Sequence, residues 1–244
     1  MGNKSCRGQQ ELLCLKAVKK YVPVWHPVRL YVDSAIPNGK PNEFPDFIFD
    51  GGFIEHFQVT SAKETKKGDR HRISESIFEK ESQNEFEKKK QEFLFSKPIP
   101  GTLSSQRLEM DSPEYGYDYF VESFKRNFEH HIGSLDKYDG DKSVGVFMLE
   151  HTGARITVLR NGSPAKLYKI EYDIDLLSYL YGFRDKLKYL ICFWGDTVGD
   201  SNGGMSCEII EISKIPEILK NAPQDVSFGV GRVRNLKINL FLDL

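Results

Sequence analysis

Cysteine is scarce in this sequence. Its 244 residues hold four, Cys6, Cys14, Cys192 and Cys207, none in a CxxC pair or a Cys/His zinc-finger spacing. That excludes a disulfide scaffold and a compact zinc module, and a reduced, cytoplasmic chain is expected. Long apolar runs are missing too. No stretch approaches the roughly 20 residues a membrane helix needs, and the N-terminus lacks a signal-peptide core, so no membrane partner is expected. Met1-Gly2-Asn3-Lys4-Ser5-Cys6 looks like a myristoylation start, except that Cys6 stands where that signal carries Ser or Thr. Charge of one sign is absent: 34 Lys and Arg oppose 35 Asp and Glu, a net charge of −1. A nucleic-acid partner would therefore need a local basic patch rather than a global field. GxSxG, HExxH, GxGxxG and GxxxxGK[ST] do not occur, which removes support for serine-hydrolase, zinc-protease, dinucleotide-binding and P-loop readings.

What is present is an ordinary globular composition, 39% hydrophobic and 28% charged. Apolar spacing predicts an amphipathic helix over residues 9–21. Strands are expected over 28–32, 44–49 and 53–62, the last two joined as a hairpin by Asp50-Gly51-Gly52. Residues 63–72 read as a basic loop and 73–95 as a charged helix with a narrow apolar stripe. The segment 96–114, with Pro98, Pro100, Gly101 and Pro113, reads as a loop. Phe120, Phe124, Phe128, Ile132 and Leu135 predict a second long helix over 119–135 with a buried face. Strands follow at 143–150 and 155–159, then a helix at 174–183. The near-continuous apolar run 187–194 has the pattern of a central strand. Residues 207–212 and 236–242 complete the strands, with a short helix at 215–221. The fold class is α/β: a mixed central sheet flanked by helices, in one domain over 1–244. Its core is expected at about 9–160, with 167–244 extending the same sheet.

Period-two alternation puts Asp46, Ile48 and Asp50 on one strand face. In the next strand His56, Gln58 and Thr60 share a face, and Glu55, Phe57 and Val59 share the other. Polar groups buried unpaired in a strand cost on the order of 1–3 kcal/mol each, so His56 and Gln58 require a partner, water, a ligand or a metal. The bland alternative is a satisfied polar pair on a solvent-facing strand.

Pro45-Asp46 followed by Ile54-Glu55-His56-Phe57-Gln58-Val59-Thr60-Ser61-Ala62 resembles the PD-(D/E)xK nuclease superfamily. That family has a restriction-endonuclease-like core and places an Asp before one strand and an acid-x-Lys triplet on the next. The resemblance implies a metal-dependent nuclease, with Mg²⁺, or Mn²⁺, held by Asp46, Glu55 and Glu11. His56 and Gln58 stand as a divergent triplet that positions water or phosphate, making Asp46, Glu55, His56 and Gln58 the catalytic set. Gln58 replaces the family's Lys, and Lys63 or Lys66 is a substitute charge. The basic stretch Lys63, Lys66, Lys67, Arg70 and Arg72 is placed to grip nucleic-acid phosphates. DNA is the implied substrate, a homodimer the implied assembly and defence against foreign DNA an implied setting. The missing Lys equally suits a degenerate nuclease fold that binds nucleic acid or a protein. His130 and His131, adjacent on a helix, point apart and make a poor metal pair.

Overall fold

The computed structural model describes residues 8–40, 43–64, 70–95, 101–110, 112–160, 163–194 and 206–240. In chain order the elements begin with α1 (Gln9–Tyr21), α2 (Val28–Ser34), β1 (Ile36–Pro37), β2 (Phe47–Phe49) and β3 (Gly52–Thr60). Next come α3 (Arg70–Phe95), β4 (Gly101–Met110), α4 (Tyr117–Lys137), β5 (Val144–Thr152), β6 (Arg155–Arg160) and β7 (Ser163–Leu167). The chain finishes with α5 (Ile174–Tyr181), β8 (Tyr189–Trp194), β9 (Ser206–Glu211), α6 (Ile215–Asn221) and β10 (Ser227–Leu240).

Six strands form one mixed sheet in the order β1-β2-β3-β5-β8-β9. Its centre, β3, β5 and β8, is parallel, and β2 and β9 flank that centre antiparallel. Every residue of β8 is buried, as the uninterrupted apolar run requires of a strand covered on both faces. One face packs against α1 and α2: Cys14, Leu15, Val18, Val28 and Val32 meet Phe47, Ile54, Val146, Met148 and Ile191. The other packs against α4, whose Phe120, Phe124, Phe128, Ile132 and Leu135 meet Phe53, Phe57, Phe147 and Leu149. The architecture is thus mixed α/β, a six-stranded mixed sheet with helices on both faces.

A second sheet of four strands runs β4-β10-β6-β7. It joins the α4 side of the core through Ile156, Val158 and Val230 and through Tyr117, which stacks on Phe228 at 4.5 Å. Helix α3 lies against this sheet, with the Arg107 and Arg232 guanidinium groups over the Phe78 ring at 5.5 and 4.6 Å.

Four expectations are corrected here. Residues 28–32 are helical, in α2, not a strand. Val28 and Val32 are four residues apart, so a helix puts both on one side, where both are buried, and Pro27 pre-sets the backbone for a helix start. Residues 101–110 are not loop but strand β4, because β10, far away in sequence, supplies a ten-residue antiparallel ladder. For the same reason the C-terminal region does not all extend the main sheet: β9 does, whereas β10 belongs to the second sheet. The basic stretch after β3 also becomes helical at Arg70.

Asp173 anchors α5. Its Oδ1 accepts the Leu176 N–H as an N-cap at 3.0 Å, and its Oδ2 accepts the hydroxyls of Tyr168, at 2.5 Å, and Tyr117. Asp173→Ala removes a cap and strands the buried hydroxyl of Tyr168 and the half-buried one of Tyr117. A loss of roughly 3–5 kcal/mol is expected in chemical denaturation; a loss under about 1 kcal/mol would show that the network does not hold the helix.

Candidate metal centre

The register decides which side chains meet. Phe47 opposes Ile54, and Phe49 opposes Gly52, so the β2 residues that share a face with His56 and Gln58 are Phe47 and Phe49. Asp46 is therefore not aligned with that couple by strand alternation, contrary to expectation. It lies at the bend before β2, following a cis Phe44–Pro45 peptide. Its Oδ2 accepts the backbone N–H of His56 at 2.8 Å, and its own N–H donates to Glu55 Oε2 at 2.9 Å. Asp46 thus meets His56 through the main chain rather than through the imidazole.

Glu55 points to the α4 face. Its Oε1 lies 2.7 Å from Nδ1 of His131, whose ring stacks on Phe57. Both Glu55 oxygens are engaged, one by His131 and one by Asp46.

His56 and Gln58 point the other way, toward α1. The parallel register pairs Gln58 with Glu150 on β5, and Gln58 Nε2 donates to Glu150 Oε2 at 2.9 Å. Gln10 Nε2 from α1 reaches both Glu150 oxygens, at 2.7 and 2.9 Å. One helical turn on, Cys14 presents its thiol 3.5 Å from Glu150 Oε2, since residues four apart share a helix side. His56 Nε2 lies 3.5 Å from the same oxygen. Among the described residues, Cys14, His56 and Glu150 form a buried group whose donor atoms lie within 4.8 Å of one another. Cys14 and Glu150 are 0% and 1% exposed and His56 is 8%. Two buried polar atoms here have no hydrogen-bond partner, His56 Nε2 and Glu11 Oε2.

Burial pushes the Asp46 carboxyl up, the Glu55 charge adds to this and Glu11 does so more weakly. The His56 N–H and side chain pull the other way, leaving Asp46 near 6. Burial also pushes Glu150 up, but His56, Gln58 and Gln10 outweigh it and hold that carboxyl below its ordinary value. Burial, together with the Glu150 charge, pushes the Cys14 thiol far up. A deeply buried carboxylate thus stays ionised with amide, thiol and imidazole neighbours, an arrangement that favours an arriving cation.

Of the other expected residues, Lys63 is exposed, with its ammonium 5.7 Å from the Tyr119 ring centre. Lys66 and Lys67 lie outside the described residues. Arg70 and Arg72 fall in the first turn of α3, where only the backbone is described. Sequence reading missed Glu150, Cys14 and Gln10. The available signal was an acid inside the apolar run of β5.

The fold and the cluster define a mixed α/β protein with a buried Cys–His–Glu group between its first helix and its central sheet. No protein-family model, curated protein or solved structure matches the chain. Among the described residues, no helix is long and apolar enough to cross a membrane.

Proposed function

We propose that the protein is a divergent metal-dependent nuclease on a restriction-endonuclease-like core, hydrolysing phosphodiester bonds in DNA or RNA. The element order supports this reading: a helix, an antiparallel run β1-β2-β3, helix α4, then β5 parallel to β3. The observation that carries it is a buried polar cluster between α1 and the sheet in which His56 Nε2 and Glu11 Oε2 make no hydrogen bond, with His56 Nε2 3.5 Å from Glu150 Oε2.

Glu150, in the buried group with Cys14 and His56, would hold the divalent ion, with the Asp46 and Glu11 charges beside it. When bound, a divalent ion polarises the phosphoryl group and lowers the pKa of a bound water. Within the chain, Glu55 holds the Asp46 main chain from the opposite face and is a positioning residue. Gln58, exposed beside Glu150, orients the phosphate or water. Lys63 supplies charge for the nucleic-acid backbone.

The test is cleavage of plasmid and single-stranded oligonucleotides with Mg²⁺ or Mn²⁺. Asp46→Asn should lower the rate by about three orders of magnitude, matching the several kcal/mol such centres supply. Equal rates for the two proteins would end the reading.

One observation favours a second reading, a binding protein on the same scaffold. The amide of Gln58, where the nuclease family carries Lys, is spent on Glu150. That reading expects nucleic-acid binding in EDTA with a steep salt dependence and no cleavage.

A further inference from the structure

We infer that the buried group between α1 and the sheet is a zinc-class site, with Cys14, His56 and Glu150 as its three protein ligands. This deepens the hydrolase reading and rests on it only for the reaction the metal serves.

Donor spacing is the first argument. Around a tetrahedral zinc ion, with Zn–S about 2.3 Å and Zn–N or Zn–O about 2.0–2.1 Å, donors stand roughly 3.3–3.6 Å apart. Here Cys14 Sγ and His56 Nε2 each lie 3.5 Å from Glu150 Oε2, and the three donors fall within 4.8 Å of one another. Binding would release to solvent the Cys14 thiol proton that now faces Glu150 Oε2, and the ion would share that oxygen with the Gln10 and Gln58 amides.

Donor chemistry is the second. A thiol and an imidazole nitrogen are borderline-soft ligands that select zinc, cobalt or iron over Mg²⁺, which binds oxygen and keeps its water. Three ligands leave a fourth position open, the pattern of catalytic rather than structural zinc. The His56 nitrogen is buried without a hydrogen bond, its contact with Glu150 being long at 3.5 Å, and a buried nitrogen left so is costly.

The third argument is support. Gln10 and Gln58 fix the Glu150 carboxylate from two sides, as hydrogen bonds behind a metal ligand do. The ligands come from α1, β3 and β5, elements set by the core rather than by loops. Gln58, bonded to Glu150, is exposed and Glu11 half-buried, so the group lies one residue from solvent.

The experiment titrates the metal-free full chain with Co²⁺, a spectroscopic stand-in for zinc, and then displaces it with Zn²⁺. One equivalent should produce tetrahedral visible bands and a thiolate-to-cobalt charge-transfer band, and a large molar excess of Mg²⁺ should not erase them. Cys14→Ser, checked for folding by circular dichroism, should lose the charge-transfer band. His56→Ala should keep the fold and weaken zinc binding by at least about a hundredfold, since even residues behind metal ligands account for 10–100-fold. No charge-transfer band in the native protein would overturn the inference. So would a band that survives Cys14→Ser, which would place cobalt on Cys6, Cys192 or Cys207. Cleavage supported by Mg²⁺ without cobalt binding would discard the zinc site and keep the nuclease; cobalt bound by Cys14 without cleavage under any metal would do the reverse.

Discussion

In EDTA, Asp46→Asn should unfold at a higher temperature than the native protein at pH 8 and at the same temperature near pH 3.5. The sign follows from the direction of the shift. The folded-state carboxyl, near 6, lies above its ordinary value of 3.8, so folding disfavours the ionised form. Below about pH 4 the group is protonated in both states and costs nothing. Between about 4 and 6 the unfolded chain releases its proton first, and stability falls as pH rises. Above 6 the folded carboxyl is ionised too, and the full cost remains. The gap corresponds to at most roughly 3 kcal/mol. Because Asp46 is only half-buried, solvent screening leaves about 1–2 kcal/mol. For a chain of this size that is about 2–8 °C in Tm. Asn preserves the acceptor for the His56 N–H, so the comparison isolates the charge. Acid loss of stability from Glu150 is common to both proteins and cancels in the difference. Saturating Mn²⁺ should reverse the order, because the ion stabilises only the protein that binds it well. A variant less stable than the native protein at pH 8 in EDTA would show that the Asp46 charge is structural rather than held for a ligand.

Gly52→Ala should be a severely damaging conservative change, the closest main-chain clash among the described glycines. A Cβ at Gly52 would lie 2.1 Å from the carbonyl oxygen of Val144 and 2.8 Å from the Phe49 ring. Val144 is the residue Gly52 faces across the parallel β3–β5 ladder, so the obstacle is main chain. Relief requires parting the two strands that carry His56 and Glu150. Overpacking a rigid site costs about 1–3 kcal/mol when side chains can yield, and here they cannot. A loss of at least about 3 kcal/mol is expected in urea denaturation, together with loss of metal binding. Gly51→Ala gives the contrast: its Cβ meets nothing, and only the φ of +88° is strained, so the cost should be near 1 kcal/mol. Similar costs for the two would refute the close approach of β3 and β5.

Much of the scaffold was legible because its signals are periodic. The spacing of Phe120, Phe124, Phe128, Ile132 and Leu135 announced α4, and the unbroken run from Tyr189 to Trp194 announced a doubly covered strand. Strand β4 was not legible, since its ten partners lie on β10 and local Pro and Gly spoke for a loop. The α2 helix was hidden because Val28-Arg29-Leu30-Tyr31-Val32 suits either state until one knows which side is covered. At the site, the alternation of Glu55 against His56 and Gln58 could be read correctly. The partners of His56 and Gln58 could not: Glu150 lies 92 residues beyond Gln58 and 140 beyond Gln10. Absence of a CxxC spacing ruled out a compact zinc module, but says nothing about ligands gathered from three separate elements. Asp46 misled for a related reason, because strand parity does not extend past the bend at which it sits.

The pairing of β4 with β10 has a consequence for synthesis. When residues 101–110 are synthesised, their ladder partner, residues 231–240, is more than a hundred residues from being made, so β4 waits unpaired while β3, α4, β5 and β8 are made and can assemble. The polar Thr102, Ser104 and Ser105 on that waiting edge, and the charged helix α3 beside it, keep a bare strand from finding a neighbour on another nascent chain.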